Sequence, residues 1–287
     1  MRRLLLFTML VLAGLGSLAA LGVALSLLPR ARADRQAQVV LRESEVRAGQ
    51  GDRRGAREKL DEALRLSPDY PAAHRSLGMV LLAEGKVEEG ADELRRAAEA
   101  QPFDPGIAWE TAFAFSAARR PADAATWFRR VADLERSNGA ARAMLAEAYL
   151  QMGQSEEAEQ WAEAGVKVSP RLPLTHFTLG FVRWQAGHLE TARAAFEGAL
   201  QLRPGDARTL LALATVAGEM DRIDLAEGYL QRALRVRPDD AVAWTALATT
   251  QAQLGKRQEA RAGFLRALRL DPSSAAAKAG LARLGGE

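Results

Sequence analysis

Three histidines and several adjacent carboxylates are the residues of this sequence that could carry acid–base or metal chemistry. Such chemistry needs side chains of this kind brought to one place, with a nucleophile or metal ligands beside them. The candidates are His74, His176, His188, Glu88-Glu89, Glu156-Glu157 and Asp239-Asp240. The chain has no cysteine, and no Gly-rich phosphate loop, His/Cys ligand cluster or Ser/His/Asp constellation accompanies these residues.

The spacing of the histidines argues against a shared site. His74 and His176 lie 102 residues apart, which is three copies of a 34-residue period, so they occupy equivalent places in different copies. Trp244 holds that place in the last copy, which indicates planar packing. His188 falls in a turn, and the paired carboxylates fall at helix starts or turns, where negative charge complements the helix dipole. We predict no enzymatic activity, no cofactor and no metal site.

The elements that would position any site follow a 34-residue period. Prolines recur every 34 residues in a series that we call the proline ladder, in which Arg136 replaces one proline. Alanines recur with the same spacing, twelve residues before each proline position, in an alanine ladder in which Gly90 replaces one alanine. The ladders are Pro68, Pro102, Pro170, Pro204, Pro238 and Pro272, and Ala56, Ala124, Ala158, Ala192, Ala226 and Ala260. The period predicts seven repeats over residues 37–274: 37–70, 71–104, 105–138, 139–172, 173–206, 207–240 and 241–274.

The unit Pro173–Asp206 shows the physical basis of the period most clearly. Apolar spacing predicts a helix over about 174–186 and a second over about 189–202, with Gly187-His188 between them. Pro204 ends the second helix because proline cannot donate the helical hydrogen bond. Gly180 and Ala192 are small where the two helices must cross closely. Each unit is therefore predicted to be an antiparallel helical hairpin that must stack on its neighbours.

These residues resemble the tetratricopeptide repeat. The resemblance rests on Leu77-Gly78 and Leu179-Gly180 in first helices, on turn glycines Gly51, Gly85, Gly153, Gly187 and Gly255, on Phe128, Phe196 and Phe264 in second helices, and on the two ladders. It implies an all-α fold, an α-solenoid of seven helix-turn-helix repeats.

Three places depart from the pattern. The first unit has Glu43-Ser44 where Leu-Gly is expected, so its first helix is expected to be irregular or to act as an N-terminal cap. The unit 105–138 lacks the turn glycine and the closing proline, and has Pro121 early in its second helix, which makes it the expected site of altered curvature. Residues 275–287 are predicted to form a C-terminal capping helix.

The resemblance also implies a binding surface. In such arrays the first helices line the concave side, and residues two, five, nine and twelve places into each unit point into it. We predict a partner-binding groove formed by Met79, Leu82, Trp109, Phe113, Leu174, Phe177, Phe181 and Trp184. The polar residues at the same positions of the last two units predict that the C-terminal end of the groove is hydrophilic. The alternative is that these aromatic residues pack between adjacent first helices.

The charge distribution limits the class of partner. The formal net charge is +3, but +4 of this lies in residues 1–36, which leaves −1 for the rest of the chain. A near-neutral body with interspersed signs offers no basic stripe for phosphates, so nucleic acid is not expected as a partner. A protein or peptide segment is the predicted partner.

The N-terminal segment has the length and the uncharged composition of a membrane-spanning helix. Residues 4–28 carry no charge and are long enough as a helix to span about 30 Å of hydrocarbon, which predicts a transmembrane anchor at 1–28 and a polar linker at 29–36. Small residues four apart in this segment give a weak indication of homo-oligomerisation. Arg2 and Arg3 place the short amino end in the cytoplasm and the repeats on the extracytoplasmic side. The alternative is signal cleavage after Ala33, which would release a soluble, chaperone-like exported factor.

The sequence thus predicts a membrane-anchored scaffold that binds a protein segment through an apolar groove, within an envelope assembly or a secretion machine.

Overall fold

The computed structural model describes residues 31–285, all of whose regular elements are α-helices. The helices are α1 (31–49), α2 (Arg53–Leu66), α3 (Pro71–Ala83), α4 (Val87–Ala100), α5 (Pro105–Ala117), α6 (Pro121–Leu134), α7 (Gly139–Gln151), α8 (Ser155–Val168), α9 (Pro173–Gln185), α10 (Leu189–Leu202), α11 (Ala207–Glu219), α12 (Ile223–Val236), α13 (Ala241–Gln253), α14 (Arg257–Leu270) and α15 (Ala275–Gly285). Odd-numbered helices up to α13 are the first, or A, helices of the repeats, and even-numbered helices are the B helices. The all-α helical-repeat fold is confirmed.

The chain forms two compact units, with the division inside the third repeat. Unit 1 ends at Arg120 and its described part contains α1 to α5, and unit 2 begins at Pro121 and contains α6 to α15. Within each unit, every helix from α2 onward packs against the next one along the chain, and Leu41 of α1 packs with Leu60 of α2. Short connections make consecutive helices antiparallel, so each unit is a stack of hairpins.

The alanine ladder forms the centre of each hairpin. Its alanines are buried, and Phe128, Phe196 and Phe264 fill the space beside them. At the crossing of α3 and α4, a Cβ on Gly78 would lie 2.9 Å from the carbonyl oxygen of Gly90. Two glycines at one crossing therefore bring these backbones together more closely than any side chain would allow.

The turns between A and B helices use left-handed backbone. The five predicted turn glycines all have φ between +73° and +82°. Repeats 3 and 6 lack a glycine at this place, and Arg119 and Asp221 adopt the same conformation with φ of 56° and 58°. The turn geometry is thus kept even where the residue disfavours it.

Most repeats end with a residue that caps the following A helix. The side chains of Asp104, Asn138, Asp206 and Asp240 each accept a hydrogen bond from a backbone N–H in the first turn of the next helix. Each such cap contributes about 1 kcal/mol to helix stability. Asn138 at a repeat boundary therefore has a structural role.

The start of the described chain differs from two expectations. Residues 31–36, predicted to be part of a polar linker, are helical and continuous with α1. The first helix is regular, which contradicts the expected irregularity and leaves the capping role a prediction: Ser44 replaces the usual glycine, is buried, and donates its hydroxyl to the carbonyl of Leu41 at 2.6 Å. That internal hydrogen bond allows a polar residue at this crossing.

The predicted membrane segment, residues 1–28, lies outside the described residues. Across residues 31–285, every helix is too short or too polar to cross a membrane.

Candidate functional site

The histidines occupy a structural place at the junction of repeats. His74 Nε2 lies 2.8 Å from the carbonyl oxygen of Pro68, and His176 Nε2 lies 2.9 Å from that of Pro170. Trp244 Nε1 donates to the carbonyl of Pro238 at 2.9 Å. In each case a planar ring N–H satisfies the carbonyl of the ladder proline six residues earlier. The three residues that the 34-residue spacing predicts to be equivalent therefore each make the same type of hydrogen bond.

His74 has a second contact that His176 does not share. Its Nδ1 lies 2.6 Å from Glu93 Oε2, and Arg96 donates to the other oxygen of Glu93 at 2.9 Å. The hydrogen bond to the Glu93 carboxylate raises the pKa of His74 above its ordinary value, although burial acts in the opposite direction. Ala195 holds the equivalent of Glu93 beside His176. Among the described residues there is no cluster of three or more side chains suited to hold a metal ion.

The A-helix face of unit 2 contains the aromatic part of the predicted groove. We use this name for the side of α7, α9, α11 and α13 formed by repeat positions two, five, nine and twelve. Leu174, Phe181 and Trp184 are half-buried there, whereas Phe177 is only 7% exposed and its ring centroid lies 5.3 Å from that of the core residue Phe196. Phe177 is thus the floor of this face, and Phe181 and Trp184 are its accessible rings.

The rings of α9 form one connected row. The centroids of Phe177 and Phe181 lie 6.5 Å apart with nearly parallel planes, and those of Phe181 and Trp184 lie 5.7 Å apart. Trp184 Nε1 donates to Glu219 on α11 at 2.8 Å, which fixes the orientation of the indole. These contacts order the indole before a partner binds, and side-chain ordering in advance lowers the entropy cost of binding.

Two charged residues adjoin this row. The guanidinium of Arg208 lies 4.0 Å from the centroid of Phe177, a cation–π distance, and its side chain is exposed. Glu147 on α7 is half-buried and accepts a hydrogen bond from Thr178 Oγ1 at 3.3 Å. Burial raises the pKa of Glu147, and this outweighs the opposite effects of Arg208 and of the Thr178 hydrogen bond. Both residues occupy repeat positions that are predicted to point into the groove, although neither belongs to the predicted set of apolar partner-binding residues.

The same face continues into a cavity that the sequence analysis missed. An open pocket of about 500 Å³ lies between repeats 6 and 7 and the start of α15, and its apolar lining includes Leu211, Ile223 and Val242, the last 76% exposed. The hydroxyls of Thr245 and Thr249 bond back to carbonyls of their own helix, so they present little unused polarity. The expectation of a hydrophilic C-terminal end is therefore wrong for this cavity. Val242, an apolar residue at position two of its repeat, was the feature of the sequence that could have indicated this cavity.

Unit 1 holds the other four predicted groove residues. Met79 and Phe113 are 49% and 42% exposed, and Trp109 and Leu82 are half-buried. Trp109 and Phe113 contact edge to face with centroids 5.1 Å apart, and Leu82 packs close to Gly90 of α4. Met79 and Phe113 are thus the accessible apolar side chains of this set, and their role in binding stays a prediction.

Two family models match the chain, and together they span more than half of it. Residues 41–105 match a model described as tetratricopeptide repeat. Residues 142–271 match one described as the cilia and flagella-associated protein 70 middle TPR-like domain. The sequence has no match among curated proteins.

Solved structures of other proteins share the fold. A tetratricopeptide repeat protein from Parabacteroides merdae has a TM-score of 0.64 at 16% identity, with 88% of this chain and 100% of that chain covered. YrrB, described as a TPR protein with an unusual peptide-binding site, has a TM-score of 0.52 at 17% identity, with 66% and 97% covered. A chain of the APC/C hetero-tetramer Cut9–Hcn1 has a TM-score of 0.61 at 19% identity, with 78% of this chain covered. The present chain spans 44% of the length of that relative. At these identities the likeness concerns the fold alone.

Proposed function

Because the chain belongs to the tetratricopeptide repeat family, we propose that it is a scaffold that binds a protein segment along the A-helix face of unit 2. The observation that carries the proposal is the row of contacting rings formed by Phe181 and Trp184. These rings remain partly accessible although the opposite side of α9 is already buried by Leu179 and Val182 against the preceding repeat. A helix that is apolar on two sides is suited to a second partner.

The chemistry of this face suits a polypeptide rather than a small polar molecule. Aromatic side chains bury a large area at low entropy cost, which is why they dominate the binding energy of protein interfaces. The apolar cavity beyond them, lined by Leu211 and Val242, extends the same face along repeats 6 and 7. Tetratricopeptide repeats generally bind proteins or peptides, and one structural relative, YrrB, is described as having a peptide-binding site.

A capture experiment with matched variants tests the proposal. The full-length chain, solubilised from membranes in detergent, is used to capture a partner, and binding of that partner is then titrated against Phe181→Glu and Trp184→Glu. Leu225→Glu is the control, because Leu225 is a 47% exposed leucine on the B helix α12 of the same unit. Circular dichroism first shows that each variant keeps its helix content.

We expect a charge at 181 or 184 to abolish binding, because it would have to be buried against the apolar segment. Leu225→Glu should bind normally. Undiminished binding by folded Phe181→Glu protein, or equal loss in Leu225→Glu, would place the contact elsewhere.

We further propose that residues 4–28 anchor the scaffold in a membrane with the repeats on the extracytoplasmic side, where it would serve an envelope assembly or a secretion machine. The support is the uncharged length of this segment and the basic residues Arg2 and Arg3 before it. Alkaline phosphatase fused after Glu287 should be active in cells. An expressed but inactive fusion would show that the body stays in the cytoplasm.

The alternative is a soluble exported factor cleaved after Ala33, which the small residues Ala31 and Ala33 favour. Mass spectrometry of the mature N-terminus separates the two forms. A chain beginning at Met1 supports the anchor, and one beginning at Asp34 supports release.

A further inference from the structure

Glu147 is a half-buried carboxylate with most of its hydrogen-bonding capacity unused. It projects from position nine of repeat 4 onto the A-helix face and accepts a hydrogen bond from Thr178, the one bond that it makes within residues 31–285. A carboxylate offers about four acceptor sites. Burial raises its pKa, which means that the surrounding protein does not fully compensate the charge.

Arg208 does not supply the missing cation. Its guanidinium lies over the Phe177 ring at 4.0 Å, and among the described residues it makes no ion pair within 4.0 Å of Glu147. Its positive charge acts on Glu147 from a distance and only partly offsets the effect of burial. Within the described residues, the Glu147 carboxylate therefore has no cationic partner in contact with it.

In the described part of unit 2, the other glutamates that are partly or fully buried, namely Glu159, Glu197 and Glu227, each form an ion pair. Glu227 is buried and lies 2.5 Å from Lys256 Nζ, and half-buried Glu159 lies 2.8 Å from Arg183 Nε. Glu147 departs from this pattern, and it lies on the surface proposed above as the binding face. An uncompensated charge at a binding surface is a recurring mark of function, because a partner of opposite charge recovers the cost of burial.

We propose that the A-helix face selects segments in which a lysine or arginine, paired with Glu147, stands beside apolar side chains that pack on Phe181 and Trp184. This inference rests on the proposed function and adds the chemical class of the partner. The basic side chain supplies charge complementarity at repeat 4, and the apolar side chains follow the face toward repeats 6 and 7. A segment of opposite character, with an acidic residue bound by Arg208, is the competing outcome.

Selection from a random peptide library tests this inference without a known partner. Phage displaying random 12-residue peptides are selected on the full-length chain in detergent micelles, in parallel on wild type, Glu147→Gln, Glu147→Lys and Phe181→Glu. Glu157→Gln is the matched control, because Glu157 is an exposed carboxylate on α8 of the same repeat and lies off the A-helix face. Circular dichroism confirms the fold of each variant before selection.

We expect wild type and Glu157→Gln to enrich peptides that carry Lys or Arg next to apolar residues. Glu147→Gln should keep the apolar preference and lose the basic one, and Glu147→Lys should disfavour basic peptides. Replacing the basic residue of a selected peptide by norleucine should weaken binding to wild type roughly tenfold and leave binding to Glu147→Gln unchanged.

Two results would overturn the inference and leave the groove intact. The first is apolar enrichment without basic residues or with acidic ones, and the second is a basic preference that survives in Glu147→Gln. If no peptide is enriched, or if enrichment is unaffected by Phe181→Glu, the proposed function fails as well.

Discussion

The ring of Phe196 lies so close to the backbone of Gly180 that a Cβ on residue 180 would come within 2.7 Å of Cδ1 of that ring. Phe196 is fully buried, so its ring has no free space to move into. This contact sets the distance between α9 and α10.

Gly180→Ala is therefore expected to destabilise unit 2 although alanine favours helix. Overpacking costs about 1–3 kcal/mol and the gain in helix propensity is about 1 kcal/mol, so a net loss of up to about 2 kcal/mol is expected. Urea denaturation followed by circular dichroism measures it. Gly228→Ala on α12 is the control, because nothing lies within 4 Å of the added Cβ, and it should be neutral or stabilising.

Arg119 holds the left-handed turn of repeat 3 at a place where five of the other repeats have glycine. Arg119→Gly should stabilise unit 1 by about 0.5–1 kcal/mol, because a left-handed conformation costs a non-glycine residue about 1–2 kcal/mol and glycine offsets part of the gain through its larger unfolded-state entropy. The reciprocal change Gly187→Ala, at φ +78°, should destabilise unit 2 by a similar amount. A loss of stability in Arg119→Gly would show that the arginine side chain makes a contribution larger than the backbone strain.

The pair of His74 and Glu93 predicts a pH dependence of stability. The pKa of His74 is raised in the folded state, so its contribution is fully present below the unfolded value of about 6.5 and is lost as pH rises through the higher folded value. The free energy of unfolding of the wild-type protein should therefore fall as the pH rises from about 6.5 through the folded pKa of His74. Glu93→Gln should remove most of this dependence of stability on pH. The measurement is the urea concentration at the midpoint of unfolding, determined at a series of pH values.

His176→Gln is the control for that experiment, since Ala195 stands where a carboxylate would be needed. It should leave the slope above pH 6.5 unchanged. A slope that survives in Glu93→Gln would assign the dependence to another group.

Replacing the Glu147 carboxylate by a neutral side chain should stabilise the free protein, because the charge is partly buried without a cationic partner in the described residues. Its pKa is raised, so protonation favours the fold below about pH 4.5 and this contribution is lost as pH rises through the folded value. Glu147→Gln should therefore gain about 1 kcal/mol at pH 7, with a smaller gain near pH 4.5. A Glu147→Gln protein that is less stable than wild type at pH 7 would show that the carboxylate serves the fold.

The sequence by itself determined the repeat and the contacts inside each hairpin. A helix has a fixed 3.6-residue period and its partner follows after one short turn, so Gly180, Ala192 and Phe196 had to meet. The same local logic fixed the turn glycines and the role of the proline ladder. It also placed His74 and His176 in equivalent structural positions.

Only the tertiary structure decided which residues of the A-helix face are accessible. Phe177 and Phe181 are four residues apart on one side of α9, yet Phe177 is buried under Arg208 and Phe181 is half-exposed. Periodicity assigns a residue to a side of its helix, but burial depends on how closely the adjacent A helix approaches, about 34 residues away in the chain. The burial of Glu147 and the cavity beside Val242 depend on that approach too, so neither could be derived from spacing alone.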